Sequence, residues 1–257
     1  FVQCQLRLPE SSGELRLRSA DPVAPPIISY GYLATGVLTR LRDAGLGSLP
    51  GGGAEIFDDR VHDEAYRNKT GEAGWFDVHR AAHELGIYSN ATMLYGHVET
   101  PAERIGHMIK LRDHQGQSLS SRKAAFNCFI PLSFIPDGSE LAHLPGPTGL
   151  DDLKTLAISR LMLDNFPHIK AFWIMQSAKL SQVALDWGVD DLDGTVVQYD
   201  ITKREGGAGN RHQELNVEQI QRLIREAGRT PVERDTLYRP IVQSDSARRM
   251  VEKAALS

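Results

Sequence analysis

Short apolar runs alternate with amphipathic segments of helical length along most of this chain, and this alternation limits the possible folds more than any other feature. The predicted strands cover residues 87–95, 126–134, 169–175 and 192–199. The predicted helices cover residues 37–44, 74–85, 150–165, 180–187 and 216–227, and a further helix begins at Pro101. Strands that alternate with helices form β-α units around a mostly parallel sheet. The pattern therefore predicts an α/β fold, which can close as a barrel or stay an open sheet.

The alternation divides the chain into three parts. Residues 1–35 mix Ser, Gly, Arg and Pro without a period, and Pro22, Pro25 and Pro26 prevent a regular helix there. Residues 36–240 carry the alternation, and residues 241–257 follow it. We expect a leading segment that is poorly structured or lacks its structural context, followed by one α/β region and a peripheral tail.

Charge and hydropathy exclude several classes of protein. Lys and Arg number 29 against 33 Asp and Glu, a net charge of −4, whereas general binders of nucleic acid or anionic membranes carry a basic excess. No run approaches the roughly 20 apolar residues of a membrane helix. The start of the chain does not read as a signal peptide, so we expect a cytoplasmic protein.

The glycine run that begins at Gly51 is the first candidate ligand site. No Gly-Lys-Ser/Thr follows it, so it is not a nucleotide P-loop. Consecutive glycines at Gly52 and Gly53 allow backbone N–H groups to approach a ligand closely, but they also suit a tight turn. The charged Glu55 in an apolar context favours the functional interpretation.

The second candidate site follows the strand that ends near Tyr95. Strand alternation places Asn90 and Thr92 on one face and Tyr95 on the other. His97 and Glu99 come at the end of this strand, just before a helix N-terminus, which supplies partial positive charge and free N–H donors. They could bind a polar ligand or transfer protons, or they could merely satisfy loop backbone groups.

Two other motifs favour structural roles. His79 and His83 have the spacing of a zinc helix, but Arg80 replaces the zincin glutamate, so we expect one half-buried and one surface histidine. The acidic run at residues 190–193 lacks calcium-loop spacing and is expected to form a solvated turn. Cys128 lies in an apolar strand and is expected to be an inert buried thiol.

Six long motifs follow one another along the chain: PGGGAEIF, NATMLYGHVETPAERI, FIPLSF, GPTGLDDLKTLAISRLMLDNFPHIKAFWIM, DDLDGTVV and REAGRTPVERDTLY. In this order they resemble the radical S-adenosylmethionine (SAM) enzymes of the futalosine route to menaquinone, and the similarity covers nearly all of residues 40–240. Within that family the chain resembles the aminodeoxyfutalosine synthases most. The sister group, the cyclic dehypoxanthinylfutalosine synthases, shares the GGGAEI and GHVETP motifs but resembles this chain less after Gly146.

The resemblance implies a (β/α) barrel of radical-SAM type that uses a [4Fe-4S] cluster and SAM. It implies that the 5′-deoxyadenosyl radical of SAM adds to 3-[(1-carboxyvinyl)oxy]benzoate to give 6-amino-6-deoxyfutalosine. The partners implied are these two small molecules, and neither nucleic acid nor a membrane. The alternatives are the sister cyclase, or a cluster-free paralogue that binds a nucleoside or an aromatic acid.

The chain departs from the family in one respect. The family holds its cluster with a Cys-x-x-x-Cys-x-x-Cys motif, whereas this chain has only Cys4 and Cys128. We therefore expect an incomplete barrel that lacks its N-terminal strands, and a chain that is inactive alone.

The resemblance also implies roles for the residues of the two candidate sites. It places His97 and Glu99 as the polar contacts at the catalytic position. It places six residues beside SAM or the substrate: Gly52, Gly53, Glu55, Asn90, Thr92 and Tyr95. No residue of this chain is expected to bind a metal.

Overall fold

A computed structural model of the protein describes residues 14–16, 27–29, 35–67, 69–195 and 215–241. The strands in these ranges are β1 (Glu14–Arg16), β2 (Ile27–Ser29), β3 (Ser48–Leu49), β4 (Tyr88–Tyr95), β5 (Phe126–Ser133), β6 (His168–Ala171) and β7 (Asp191–Leu192). The helices are α1 (Thr35–Asp43), α2 (Asp59–Ala65), α3 (Glu72–Leu85), α4 (Pro101–Ser121), α5 (Gly149–Met162), α6 (Trp173–Gln176), α7 (Ala178–Ala184) and α8 (Val217–Glu226). In the described part of the chain, none of these helices combines the length and the apolar character that crossing a membrane requires.

The main sheet has five strands in the order β3-β4-β5-β6-β7, and every neighbouring pair is parallel. Sequential parallel strands need crossover connections, and α3, α4, α5 and the pair α6 and α7 supply them. The predicted parallel α/β fold is therefore confirmed, and the arrangement is consistent with part of a (β/α) barrel. β1 and β2 form a separate antiparallel pair.

The core lies between this sheet and the helices that cover it. Ala91, Met93 and Tyr95 of β4 are fully buried together with Met108 and Leu111 of α4. Fully burying a side chain as large as that of Met or Leu contributes about 1.5–3 kcal/mol. The period of two along β4 thus assigns Ala91, Met93 and Tyr95 to the helix layer, and it leaves Asn90 and Thr92 on the opposite face.

The helix boundaries follow local sequence signals. Thr100 caps α4, and its hydroxyl and the Glu103 carboxylate form the predicted capping box. Asn216 and Gln219 form the same arrangement at α8. Gly86 ends α3 with a φ of 84°, in the left-handed region that favours glycine.

Other predicted elements differ from the structure. The apolar run at residues 169–175 is a strand only to Ala171, and its remainder turns into α6, because an apolar run this short does not distinguish strand from buried helix. The strand predicted at residues 192–199 consists of Asp191–Leu192 where it is described, and residues 196–199 lie outside the described ranges. α2 was not predicted, although Asp58 accepts the Val61 N–H as its N-cap.

The predictions for the two ends of the chain are only partly addressed. Residues 14–16 and 27–29 form short strands. The remainder of residues 1–34, including Cys4, and residues 242–257 of the expected tail lie outside the described ranges.

The expectation of a solvated turn at residues 190–193 is wrong for Asp191, whereas Asp190 is exposed. Asp191 is only 9% exposed and accepts two hydrogen bonds from the Arg234 guanidinium, at 3.0 and 2.6 Å, and one from the Tyr238 hydroxyl at 2.8 Å. The Lys170 ammonium lies 3.5 Å from Asp191 and donates to Asp193 at 2.9 Å. This Asp191 cluster anchors the 234–241 segment to β6 and β7.

The expectation of one surface histidine in α3 is also wrong, because His79 and His83 are both buried. His79 Nδ1 and His83 Nε2 each lie 2.8 Å from the Ser89 hydroxyl. His83 Nδ1 lies 2.9 Å from the Ser118 hydroxyl on α4. Serine hydroxyls satisfy ring nitrogens that would otherwise be unpaired in the core, so the pair is structural.

Candidate functional site

The glycine run joins β3 to the carboxyl end of the sheet. A Cβ on Gly51 would lie 2.3 Å from the Asn90 carbonyl oxygen, so only glycine permits this approach to β4. The Gly51 carbonyl accepts hydrogen bonds from the Thr92 hydroxyl at 2.7 Å and the Trp75 indole at 3.3 Å. Gly52 and Gly53 have open space beside them, so a ligand can approach their backbone.

Glu55 stands directly after this turn in a strained conformation. Its φ is 44°, which is uncommon for a residue with a side chain. Its carbonyl accepts the Leu94 N–H at 3.1 Å, which fixes the backbone to the end of β4. Its carboxylate forms an ion pair with Lys69. Strain of this kind persists where the surrounding structure enforces it, often at functional sites.

Glu99 organises the loop after β4. Its carboxylate accepts the Gly96 N–H at 2.6 Å, the His97 N–H at 2.9 Å and the Arg104 Nε–H at 2.6 Å. The Glu99 side chain has no exposed area, and Arg104 supplies the compensating charge. The structural role that the sequence left open for Glu99 is therefore present, whereas a catalytic role stays a prediction.

We expect Glu99→Gln to destabilise this loop strongly. Glutamine retains one acceptor oxygen, but it loses the charge that pairs with Arg104 and presents an amide to backbone N–H donors. Leaving buried donors unsatisfied costs about 1–3 kcal/mol and more for a charged group. Urea unfolding should show the loss of stability, and Glu64→Gln, which affects a half-exposed pair with Arg60, serves as control. Equal stabilities of the two variants would contradict this account of the loop.

His97 lies beside Glu99, and its side chain is also fully buried. Its Nε2 lies 2.9 Å from the Leu94 carbonyl oxygen and 2.6 Å from the Tyr66 hydroxyl. Its Nδ1 is 3.2 Å from Glu99 Oε2 but makes no aligned hydrogen bond. Burial lowers the pKa of His97, against the opposing influence of Glu99 and the Leu94 carbonyl, and therefore favours a neutral ring.

Tyr66 is the member of this site that the sequence did not reveal. It follows α2 and contacts the His97 ring edge-on, with ring centroids 5.4 Å apart. Burial raises its pKa, and Glu55 and Glu99 raise it further, so the phenol keeps its proton. Asp58, as the N-cap of α2, was the one sequence signal that could have located this helix and hence Tyr66.

Arg60 fixes α2 against the loop that carries His97. Its guanidinium donates to both oxygens of Glu103, at 2.8 and 2.6 Å, and to the Val98 carbonyl at 3.1 Å. A bidentate pair of this kind adds orientation as well as attraction. Arg60 therefore connects α2 to the start of α4 and to the loop that carries His97.

Asn90 and Thr92 lie on the sheet face opposite the helices. The Thr92 hydroxyl is occupied by the Gly51 carbonyl. The Asn90 Oδ1 is buried and has no hydrogen-bond partner among the described residues. A buried acceptor without a partner is costly, so Asn90 is the residue on this face best suited to receive a ligand donor.

Tyr95 faces the other way. Its hydroxyl donates to Asp152 Oδ1 at 2.6 Å and also contacts the Ser133 hydroxyl and the Gln176 amide. Burial raises the pKa of Tyr95, and Asp152 raises it further. These contacts join β4, β5, α5 and α6 in the helix layer. They favour a positioning role for Tyr95, and its contact with a cofactor stays a prediction.

A [4Fe-4S] cluster does not fit the cysteines of this chain. Three thiolates are needed to leave one iron open, and the sequence contains two cysteines. Cys128 is fully buried in β5, and burial raises its pKa to about 12, so it is not a thiolate near neutral pH. The expectation of an inert buried thiol at Cys128 is confirmed.

Comparison with known proteins identifies relatives over most of the chain. A sequence model of the CofH/MqnC C-terminal region matches residues 123–246. An aminodeoxyfutalosine synthase from Thermus thermophilus is 50% identical over 209 residues, which is 80% of this chain and 54% of the relative. An aminodeoxyfutalosine synthase from Streptomyces coelicolor is 42% identical over 218 residues, 81% of this chain and 55% of the relative.

A second group of relatives carries a different name. A 5-amino-6-(D-ribitylamino)uracil–L-tyrosine 4-hydroxyphenyl transferase from Methanopyrus kandleri is 36% identical over 255 residues, 91% of this chain and 67% of the relative. The chain thus spans about half the length of the two synthases and about two thirds of this transferase.

Proposed function

The chain belongs to the CofH/MqnC family, and from this premise we propose that its activity is that of an aminodeoxyfutalosine synthase of menaquinone biosynthesis. The reaction proposed joins the adenosyl part of SAM to 3-[(1-carboxyvinyl)oxy]benzoate, releases methionine and the carboxyl group of the enol ether, and yields 6-amino-6-deoxyfutalosine. The observation that carries the proposal is the 50% identity to the Thermus thermophilus synthase over 80% of this chain. The identity to the tyrosine-named transferase is lower, at 36%.

The geometry supports a small-molecule site at the carboxyl end of the sheet. Ligands of parallel α/β proteins bind at this end, and the glycine turn, Glu55, His97 and Glu99 all lie there. Asn90 adds an unpaired acceptor on the face opposite the helices. The glycine turn offers backbone donors and lies against the Asn90 backbone, and the loop after β4 adds buried charge. These groups suit a polar substrate with an aromatic or nucleoside part.

Six residues of the site have a proposed task. Gly52 and Gly53 would lie against SAM, because the space beside them is open. Asn90 would accept a hydrogen bond from the ligand, and Thr92 would hold the glycine turn in place. His97 would help to shape the substrate site from a loop that Glu99 keeps rigid. SAM is a substrate here because its adenosyl group enters the product.

No residue of these 257 is assigned to the binding of the [4Fe-4S] cluster that the family uses. The cysteine count excludes a cluster held by this chain alone, so no chemical step is assigned to it here. The barrel that the family implies and a cytoplasmic location remain parts of the same proposal. The sister cyclase is the alternative. We place the synthase activity first because the relatives at 50% and 42% identity are both named aminodeoxyfutalosine synthase.

A chimera tests the proposal. Residues 40–240 of this chain would replace the matching segment of the Thermus thermophilus synthase, which retains its own N-terminal part. After anaerobic reconstitution with iron and sulfide, the chimera is incubated with SAM and 3-[(1-carboxyvinyl)oxy]benzoate, and products are identified by mass spectrometry. We expect 6-amino-6-deoxyfutalosine. A folded chimera that holds the cluster and cleaves SAM, but forms this product no faster than a substrate-free control, would contradict the proposed activity.

The substrate of the sister cyclase, tested in the same chimera, separates the two family activities. We expect it to be left unchanged. Its conversion, together with failure on the benzoate, would assign the chain to the cyclase group instead.

A further inference from the structure

The Tyr66–His97 pair contains a hydrogen-bond donor that the described residues leave unused. The Tyr66 hydroxyl lies 2.6 Å from His97 Nε2, and the same nitrogen lies 2.9 Å from the Leu94 carbonyl oxygen. A carbonyl oxygen can only accept, and Nε2 is aligned with the Leu94 carbonyl whereas Nδ1 makes no aligned hydrogen bond to Glu99, so Nε2 carries the ring proton. A protonated Nε2 cannot accept from Tyr66, and the tyrosine oxygen is therefore the acceptor of a shared N–H.

This assignment leaves the Tyr66 O–H proton without an acceptor among the described residues. A phenol whose oxygen accepts one hydrogen bond can still donate its own proton elsewhere. The hydroxyl is partly buried, and unpaired buried donors are uncommon in folded proteins unless a ligand or water completes them.

The surroundings of Tyr66 indicate which kind of acceptor fits. The two nearby carboxylates are already compensated, Glu55 by Lys69 and Glu99 by Arg104. The Lys69 ammonium also lies 5.4 Å from the centre of the Tyr66 ring, where burial and the two carboxylates raise the pKa of the phenol. A charged oxygen acceptor gains more from a phenol donor than a neutral one does.

We propose that Tyr66 is a substrate-binding residue whose hydroxyl donates to a carboxylate oxygen of the aromatic substrate, while its own oxygen accepts the His97 Nε2–H. The inference rests on the proposed function, because 3-[(1-carboxyvinyl)oxy]benzoate carries two carboxylates. His97 then acts as the positioning residue that aims the phenol, and α2, held by Arg60 and Glu103, carries Tyr66 to this place.

The first test determines which nitrogen of His97 carries the proton, and it needs no substrate. Nitrogen-15 NMR of the full chain at pH 7 should show a protonated Nε2 and an unprotonated Nδ1. Tyr66→Phe should leave this tautomer unchanged, because the Leu94 carbonyl still accepts the proton. An unprotonated Nε2 in the unchanged protein would overturn the inference, because Tyr66 would then donate to His97.

The second test measures affinity for 3-[(1-carboxyvinyl)oxy]benzoate by calorimetry with the full chain. A lost hydrogen bond to a charged group should weaken binding by Tyr66→Phe about 10- to 100-fold. The control is Tyr88→Phe, a partly exposed tyrosine at the opposite end of β4, which should bind as the unchanged protein does. Equal affinity of Tyr66→Phe and the unchanged protein would overturn the role of Tyr66 alone. Absence of binding by the unchanged protein would overturn both this inference and the proposed substrate.

Discussion

Asp191→Asn is expected to lower the free energy of unfolding by about 3–5 kcal/mol, the range for removing one partner of a buried ion pair. The Asp191 carboxylate accepts hydrogen bonds from Arg234 and Tyr238 and lies close to the Lys170 ammonium. Both Asp191 and Lys170 are at least nine-tenths buried. Asparagine keeps the shape of the side chain but leaves two cations with less compensation. Arg234 and Tyr238 then lose the charge that holds the 234–241 segment on the sheet.

Urea unfolding at neutral pH measures this effect, and Asp164→Asn is the matched control. Asp164 also pairs with an arginine, Arg112, but the two side chains are 62% and 48% exposed. Exposed pairs of this kind contribute about 0–1 kcal/mol. A stability loss in Asp191→Asn no larger than in the control would show that the Asp191 cluster does not anchor the C-terminal segment.

Acid is expected to destabilise the protein through its buried histidines, and this is the second large effect. Burial lowers the pKa of His83 to about 3, of His107 to about 3 and of His114 to about 4, and it also lowers the pKa of His79. In the unfolded chain these rings have a pKa of about 6.5. The unfolded state therefore binds protons first as the pH falls.

The sign of the pH dependence follows from this order. Stability is complete above about pH 6.5 and falls as the pH drops towards the folded-state values near 3. Each histidine that stays neutral in the folded protein contributes a slope of about 1.4 kcal/mol per pH unit well below its unfolded pKa. The free energy of unfolding should therefore decrease steeply between pH 6.5 and pH 5.

His83→Gln tests the contribution of a single ring. Its side chain can still hydrogen-bond to Ser89 or Ser118, but it does not titrate, so the slope near pH 5 should fall by about one proton's share, about 1.4 kcal/mol per pH unit. His143→Gln, at an exposed position, is the control and should leave the slope unchanged. Identical slopes for His83→Gln and the unchanged protein would mean that His83 takes up its proton in the folded state.

The sequence allowed the local features of the fold to be predicted. The capping boxes at Thr100 and Asn216 depend on residues three positions apart, and the Gly86 helix end depends on one residue. The two candidate segments, around Gly52 and His97, were also located correctly at the carboxyl end of the sheet. Their roles in binding and catalysis remain predictions.

The features that were missed depend on contacts distant in sequence. Tyr66 meets His97 across 31 positions, and Asp191 meets Arg234 and Tyr238 across 43 and 47 positions. His83 meets Ser118 across 35 positions. No local pattern records such pairs, so Asp191 was interpreted as a solvated residue and one of the α3 histidines as a surface residue. Tertiary packing determines the burial of Asp191 and of both histidines.

Chemical-shift mapping tests most directly whether the substrate binds at the carboxyl end of the sheet. Proton–nitrogen spectra of the full chain would be recorded while 3-[(1-carboxyvinyl)oxy]benzoate is added. We predict saturable shifts of the Gly52, Gly53, Gly96 and His97 amides, with the Ile169 amide beside the Asp191 cluster unchanged. Saturable shifts confined to residues outside this region, or no shifts at millimolar substrate, would contradict the account.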